Sequence, residues 1–272
     1  MKFGILLPVA TMLLASAAVS RCDLLYGQSS AAPSSNGSGV AAENQQNTIF
    51  RIIPSKPVAE LRREALAAKP PVEAGSFLPS DLVDVTKYDP SIKLEIRYAT
   101  DRDFLGAPVY AEARAFLQRP AAEALARVSA KLHAQGYGLL IYDAYRPWYV
   151  TKMFWDATPR GKKKFVANPA DGSRHNRGCA VDLTLYDLKT GNAVEMTGGY
   201  DEMSERSYSN YTGGTPLQRA HRDLLRDAMQ SEGFEVFPFE WWHFDFRGWK
   251  KYPILNLTFE QLDHSSAIES RR

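Results

Sequence analysis

Between Leu82 and Phe246 the chain alternates short apolar runs with two helix-length segments, each opened by proline and closed by glycine. Residues 120–135 carry Pro120 in the first turn and Gly136 at the stop, with Leu125, Val128 and Leu132 at helical spacing. Residues 216–232 repeat the arrangement, with Pro216 at the start and Gly233 just past the end. The intervening runs read as strands: 82–85, 92–98 with clean period-two alternation, 139–142, 178–186, 234–236 and 242–246. A turn at 189–192 predicts a hairpin return of the fourth run. Strands grouped around two helices, joined by hairpin turns, predict an α+β fold: a single domain with a mainly antiparallel sheet flanked by helices.

Upstream, the composition changes twice. Lys2 precedes an apolar stretch at 3–14 and small residues at 15–20, the layout of a secretory signal over residues 1–20. The apolar part is too short for a membrane span, so no stable span is expected. Export to the periplasm follows as the expected localisation. A lipid anchor at Cys22 is the rival reading, and the bulky, charged Arg21 before it disfavours that reading. Residues 21–75 are expected to be a flexible linker. Its 27–47 stretch holds almost no large apolar residue, and a short helix can form over 57–68. The domain itself is expected over 76–272.

A chain that is 44% hydrophobic and 24% charged is an ordinary globular composition. The net charge of +2 gives no electrostatic case for nucleic acid or an anionic membrane surface. Lys162, Lys163 and Lys164 form the one local basic cluster, and it reads as a solvated loop with no interleaved aromatic.

Chemistry concentrates in two short motifs. Ser173-Arg-His175-Asn-Arg-Gly-Cys-Ala-Val-Asp182 supplies an imidazole and a carboxylate, and Glu240-Trp-Trp-His243 supplies another of each. Two imidazoles and one carboxylate, here His175, Asp182 and His243, are a standard ligand set for one catalytic Zn2+ with a fourth position for water. A further carboxylate that does not ligate can take the proton of that water, and Glu240 suits the role. On a regular strand Glu240 and His243 would face opposite ways, so a bend before His243 is required, and Pro238 makes one plausible. Cys179 alternates onto the face opposite Asp182 and reads as a small buried hydrophobe. Of the five histidines, His133, His221 and His264 fall in segments that suggest no functional role.

These motifs resemble the D-alanyl-D-alanine dipeptidases, zinc peptidases related to D-Ala-D-Ala carboxypeptidases. The resemblance extends over about residues 80–250, through Tyr98-Ala-Thr, Phe104-x-Gly106, Tyr142-Asp-Ala-Tyr-Arg-Pro147, Asp182-Leu-Thr-Leu and Asp201-Glu-Met-Ser-Glu-Arg-Ser207. It implies zinc on His175, Asp182 and His243, Glu240 as general base, and Arg146 as the oxyanion partner. It further implies Asp201 as the reader of the substrate's ammonium, with Tyr98 and Ser173 lining the same pocket. The implied substrate is a small D,D-dipeptide, cleaved to free D-alanine. Two alternatives stand beside this: a D,D-carboxypeptidase or endopeptidase acting on longer peptidoglycan peptides, and a non-catalytic cell-wall binding module. Asp103 departs from the family pattern, which often carries Asn there.

Overall fold

The computed structural model describes residues 49–262. The expected signal segment, Cys22, the 27–47 stretch and His264 lie outside those residues.

Five strands form the central sheet: β2 (Lys93–Leu94), β4 (Tyr137–Asp143), β5 (Ala180–Asp187), β6 (Phe234–Phe237) and β7 (Glu240–Phe246), in the order β2-β4-β5-β7-β6. The β2–β4 pair is parallel, and β4–β5, β5–β7 and β6–β7 are antiparallel. Two further strands, β1 (Leu82–Asp84) and β3 (Phe116–Gln118), pair separately. The mainly antiparallel α+β fold expected from the strand and helix signals is the one observed.

Alternation along β5 decides what each face of the sheet does. Val181, Leu183 and Leu185 point one way and are fully buried, with Leu183 opposite Ile141, Leu185 opposite Leu139 and Val181 opposite Phe244. Asp182 and Thr184 point the other way. Truncating a fully buried core residue such as Leu183 to Ala would cost about 2–5 kcal/mol.

Helix α2 (Arg119–His133) packs on β4 and buries Leu125, Val128 and Leu132. Helix α4 (Pro216–Ser231) opens with a capping box, in which Thr215 and Gln218 exchange side-chain-to-backbone hydrogen bonds. Past its end Gly233 takes φ 90°, a left-handed conformation suited to glycine.

Three local expectations change, and one helix is present that the sequence reading did not name. Only Lys93–Leu94 of the predicted 92–98 strand is paired; Arg97–Ala99 is a 3-10 turn. That turn sets Tyr98 inside the protein, where its carbonyl accepts from the amides of Val109 and Tyr110. The return strand after the 189–192 turn reduces to one bridge, Tyr186 with Ala193. Helix α3 (Trp148–Ala157), which Pro147 starts, is buried except along one narrow stripe of Lys152, Trp155 and Asp156. Lastly, helix α1 (Val58–Ala67) packs on α3 with Leu61 and Ala65 buried. The packed body therefore includes residues before 76 that the composition had assigned to the linker.

Among the described residues no helix is long and apolar enough to cross a membrane.

Candidate active site

Asp182 on β5 and His243 on β7 are direct cross-strand partners. Their side chains share a face, and Nδ1 of His243 lies 3.0 Å from Oδ1 of Asp182. His175 arrives from a 3-10 turn, His175–Arg177, that ends at Gly178. Gly178 has φ 65°, and a Cβ there would come within 2.3 Å of Leu82, so glycine is needed both for the turn and for the close approach. Nε2 of His175 then lies 3.1 Å from Nδ1 of His243 and 3.3 Å from Oδ1 of Asp182. These three residues, all buried, could hold a metal ion.

The outer atoms of the three support a metal centre. Nδ1 of His175 lies 2.6 Å from the carbonyl of Ala144, so it carries the proton and Nε2 presents a lone pair. Nε2 of His243 lies 2.9 Å from Oδ1 of Asp245, which by the same reasoning leaves a lone pair on Nδ1. Oδ2 of Asp182 accepts from the Tyr200 hydroxyl at 3.0 Å. Two lone pairs and a carboxylate oxygen thus face one another, an arrangement that a shared cation relieves, with every outer atom already fixed. The donor set fits a divalent ion of the N/O-binding kind.

Glu240 reaches the same place through a break in the strand ladder. Val236 pairs with Phe244, but the next residue, Phe237, pairs with Glu240. The expected bend before His243 is therefore this irregularity at the head of β7. Oε2 of Glu240 lies 3.8 Å from Nδ1 of His243, and burial raises its pKa to about 7.

Arg146 is held by Asp143. Its Nε donates to Oδ2 at 2.9 Å and its terminal nitrogen lies 2.7 Å from the same oxygen, while Tyr110 donates to Oδ1 at 2.8 Å. The guanidinium also sits 3.7 Å from Oδ2 of Asp182. Asn176 ties this segment to the histidine turn: its amide donates to the Arg146 carbonyl and to Thr151, and its oxygen accepts from the amide of Ser173.

Asp201 is the one described non-glycine residue with positive φ, at 59°. Such a conformation costs free energy and persists where the surroundings enforce it. Here the Tyr98 hydroxyl bonds to both carboxylate oxygens at 3.0 Å. Burial first, then the charges of Asp182 and Glu240, raise the Asp201 pKa well above its ordinary value.

A cavity of about 140 Å³ unites the set. Tyr98, Arg146, Ser173, His175, Asp182, Asp201, Glu240 and His243, every residue singled out in the sequence, line it. Trp242 also lines it, whereas Trp148 is buried elsewhere with its indole nitrogen on the Pro169 carbonyl. Cys179 is a buried free thiol, its pKa pushed up to about 12 by burial. His133 contacts Ser91 and His221 the carbonyl of Glu195, both outside the cavity. Sequence reasoning missed Asp143, Tyr200 and Asp245. Asp143 had a signal, standing three residues before Arg146 in the Tyr-Asp-Ala-Tyr-Arg-Pro motif, and so did Asp245, two residues after His243 on a predicted strand.

Comparison with known proteins places the chain in a family. A D-alanyl-D-alanine dipeptidase of Escherichia coli (strain K12) is 38% identical over 176 residues, covering 65% of this chain and 90% of its own. One of Enterococcus faecalis is 37% identical over 171 residues, 56% of this chain and 85% of its own. The solved LdcB LD-carboxypeptidase is 21% identical, covers 65% of this chain and 72% of its own, and has a TM-score of 0.40, too loose a likeness to bear on the site. The family profile described as D-ala-D-ala dipeptidase matches residues 79–261, which include every residue of the cavity named above. The chain belongs to the D-ala-D-ala dipeptidase family of M15 peptidases.

Proposed function

We propose that the protein hydrolyses D-alanyl-D-alanine, or a closely similar D,D-dipeptide, to free amino acids with zinc as its metal. The observation that carries this reading is one small cavity holding both the three-residue centre and the buried Asp201, whose carboxyl Tyr98 fixes and which an arriving ammonium would ionise. A longer peptide has no free ammonium next to its last peptide bond, so such a carboxylate favours a dipeptide.

His175, Asp182 and His243 would hold the zinc. When bound, zinc supplies Lewis acidity towards a water and the scissile carbonyl. Glu240, with its pKa near 7, takes the proton of the attacking water and returns it to the leaving amine. Arg146, immobilised by Asp143, presents a fixed positive charge to the oxygen that becomes negative during attack. Asp201 and Tyr98 bind the ammonium, and Ser173 lines the pocket beside them. The apolar segment at 3–14 supports action outside the cytoplasm, and full-length uncleaved protein in the cytosol would contradict that placement.

A hydrolysis panel tests the reading, using D-Ala-D-Ala, its N-acetylated form, L-Ala-L-Ala and a D-Ala-D-Ala-terminated tripeptide. The free D,D-dipeptide should be the preferred substrate by a wide margin. Faster cleavage of the tripeptide would favour a carboxypeptidase, and zinc binding with no cleavage of any peptide would favour a binding module.

A further inference from the structure

The lysine cluster that the sequence presented as a solvated loop lies beside the cavity. It forms the 3-10 turn Arg160–Phe165. Two of its lysines tie that turn to the rest of the protein: Lys162 Nζ donates to the Met203 carbonyl at 3.0 Å, and Lys163 Nζ donates to the Trp155 carbonyl. Lys164 does neither. It is exposed, it lines the cavity together with Phe165, and its ammonium rests 4.9 Å from the centroid of the Phe165 ring.

Three cationic side chains line the cavity: Arg146, Lys164 and Arg174. Arg146 is committed to Asp143 and stands near Asp182. Arg174 sits 3.5 Å from Asp245 and lies over the Trp249 ring. Among the described residues Lys164 has no carboxylate within ion-pair distance, so its charge is uncompensated. Four acidic residues line the cavity too: Asp182, Asp201 and Glu240 are assigned above to metal, ammonium and proton, and Glu202 is held by the Gly199 amide, Ser204 and Arg206. A free dipeptide brings one further charge to the cavity, its terminal carboxylate.

We propose that Lys164 is a specificity-determining residue that reads the free C-terminal carboxylate of the substrate. This rests on the dipeptidase reading above. With Asp201 at the amino end and Lys164 at the carboxyl end, the pocket measures a substrate by the separation of its two charges. Lys164 does not touch the scissile bond, so it contributes to binding rather than to the chemical step. An exposed ion pair of this kind is screened by salt.

Steady-state kinetics of wild type, Lys164→Met and Lys164→Arg on D-Ala-D-Ala and on D-Ala-D-Ala amide test the assignment. Because Lys164 is exposed, the variants should fold, and a circular dichroism melt checks this. For the free acid, Lys164→Met should raise KM roughly three- to tenfold with kcat within about twofold, and Lys164→Arg should restore most of the loss. For the amide, wild type and Lys164→Met should have the same KM, and the wild-type advantage on the acid should shrink as salt is raised. An unchanged KM for the acid, or an equal rise for acid and amide, would overturn the role of Lys164 while leaving the dipeptidase reading intact. No wild-type turnover of D-Ala-D-Ala would overturn both.

Discussion

Asp182 and His243 sit directly opposite each other on adjacent antiparallel strands, with Oδ1 and Nδ1 3.0 Å apart. Sheet register thus joins the two motifs, 61 residues apart in sequence, that carry most of the candidate site. A slip of one residue between β5 and β7 would turn His243 away from Asp182 and towards the apolar face.

Glu240→Gln tests the proposed general base. The amide keeps the size of the carboxylate but accepts no proton, so zinc should remain bound while kcat falls by roughly 10²–10⁴. Elemental analysis alongside turnover separates the two effects. Loss of metal in this variant would place Glu240 among the ligands instead.

The same residue sets a pH dependence. Burial raises the Glu240 pKa to about 7, so the base form is lost as pH falls through that value. A cation bound nearby favours the ionised form and moves the limb downward. The log of kcat/KM should therefore decline on the acid side with a midpoint at or below about 7. The absence of any acid limb down to about pH 4, the ordinary range of a glutamate, would remove Glu240 from the proton transfer.

Asp201→Ala should damage hydrolysis of the free dipeptide far more than that of the N-acetylated dipeptide. The buried carboxylate has an ammonium to meet in the first case only. A loss of about 10–100-fold in kcat/KM for D-Ala-D-Ala corresponds to a charge-assisted contact of about 1.5–3 kcal/mol. Equal losses on both substrates would instead assign Asp201 to holding Tyr98 in place.

Asp103 offers a test on stability. Its Oδ1 accepts from the amides of Leu105 and Gly106, while its buried Oδ2 has no hydrogen-bond partner. Burial raises its pKa to about 6 against those hydrogen bonds. Between about pH 4 and 6 the folded protein keeps a proton that the unfolded chain has already lost, so this group's contribution falls as pH rises through that window. Asp103→Asn should raise stability at pH 7.5 by about 1–2 kcal/mol and do little at pH 4. Denaturant unfolding at the two pH values reads this directly, and equal effects at both would refute it.

Much of the site was legible because its chemistry sits in dense local motifs. His175, Asp182, Glu240 and His243 stand out as a set in the amino-acid sequence alone, and so does the need for a bend ahead of His243. The residues that hold them do not. Tyr200 reaches Asp182 from a loop, and Asp245 reaches His243 from two positions along the same strand. The Tyr200 contact leaves no spacing to read, whereas the two-residue step from His243 to Asp245 on a predicted strand was a signal passed over. Helix α3 was missed because its unburied stripe is narrow, Lys152, Trp155 and Asp156 alone, and one of the three is aromatic. Tyr98 was assigned to a strand because Ile96 and Tyr98 alternate as strand residues do. The tertiary pull of Asp201 and the loop at Val109 and Tyr110 fixes a 3-10 turn instead.

The central claim is that His175, Asp182 and His243 together hold the metal on which the chemistry depends. Zinc content after dialysis against zinc followed by metal-free buffer tests it most directly, in wild type and in His243→Ala. Wild type should retain about one zinc per chain, and the variant should retain close to none. Undiminished zinc in His243→Ala would contradict the account.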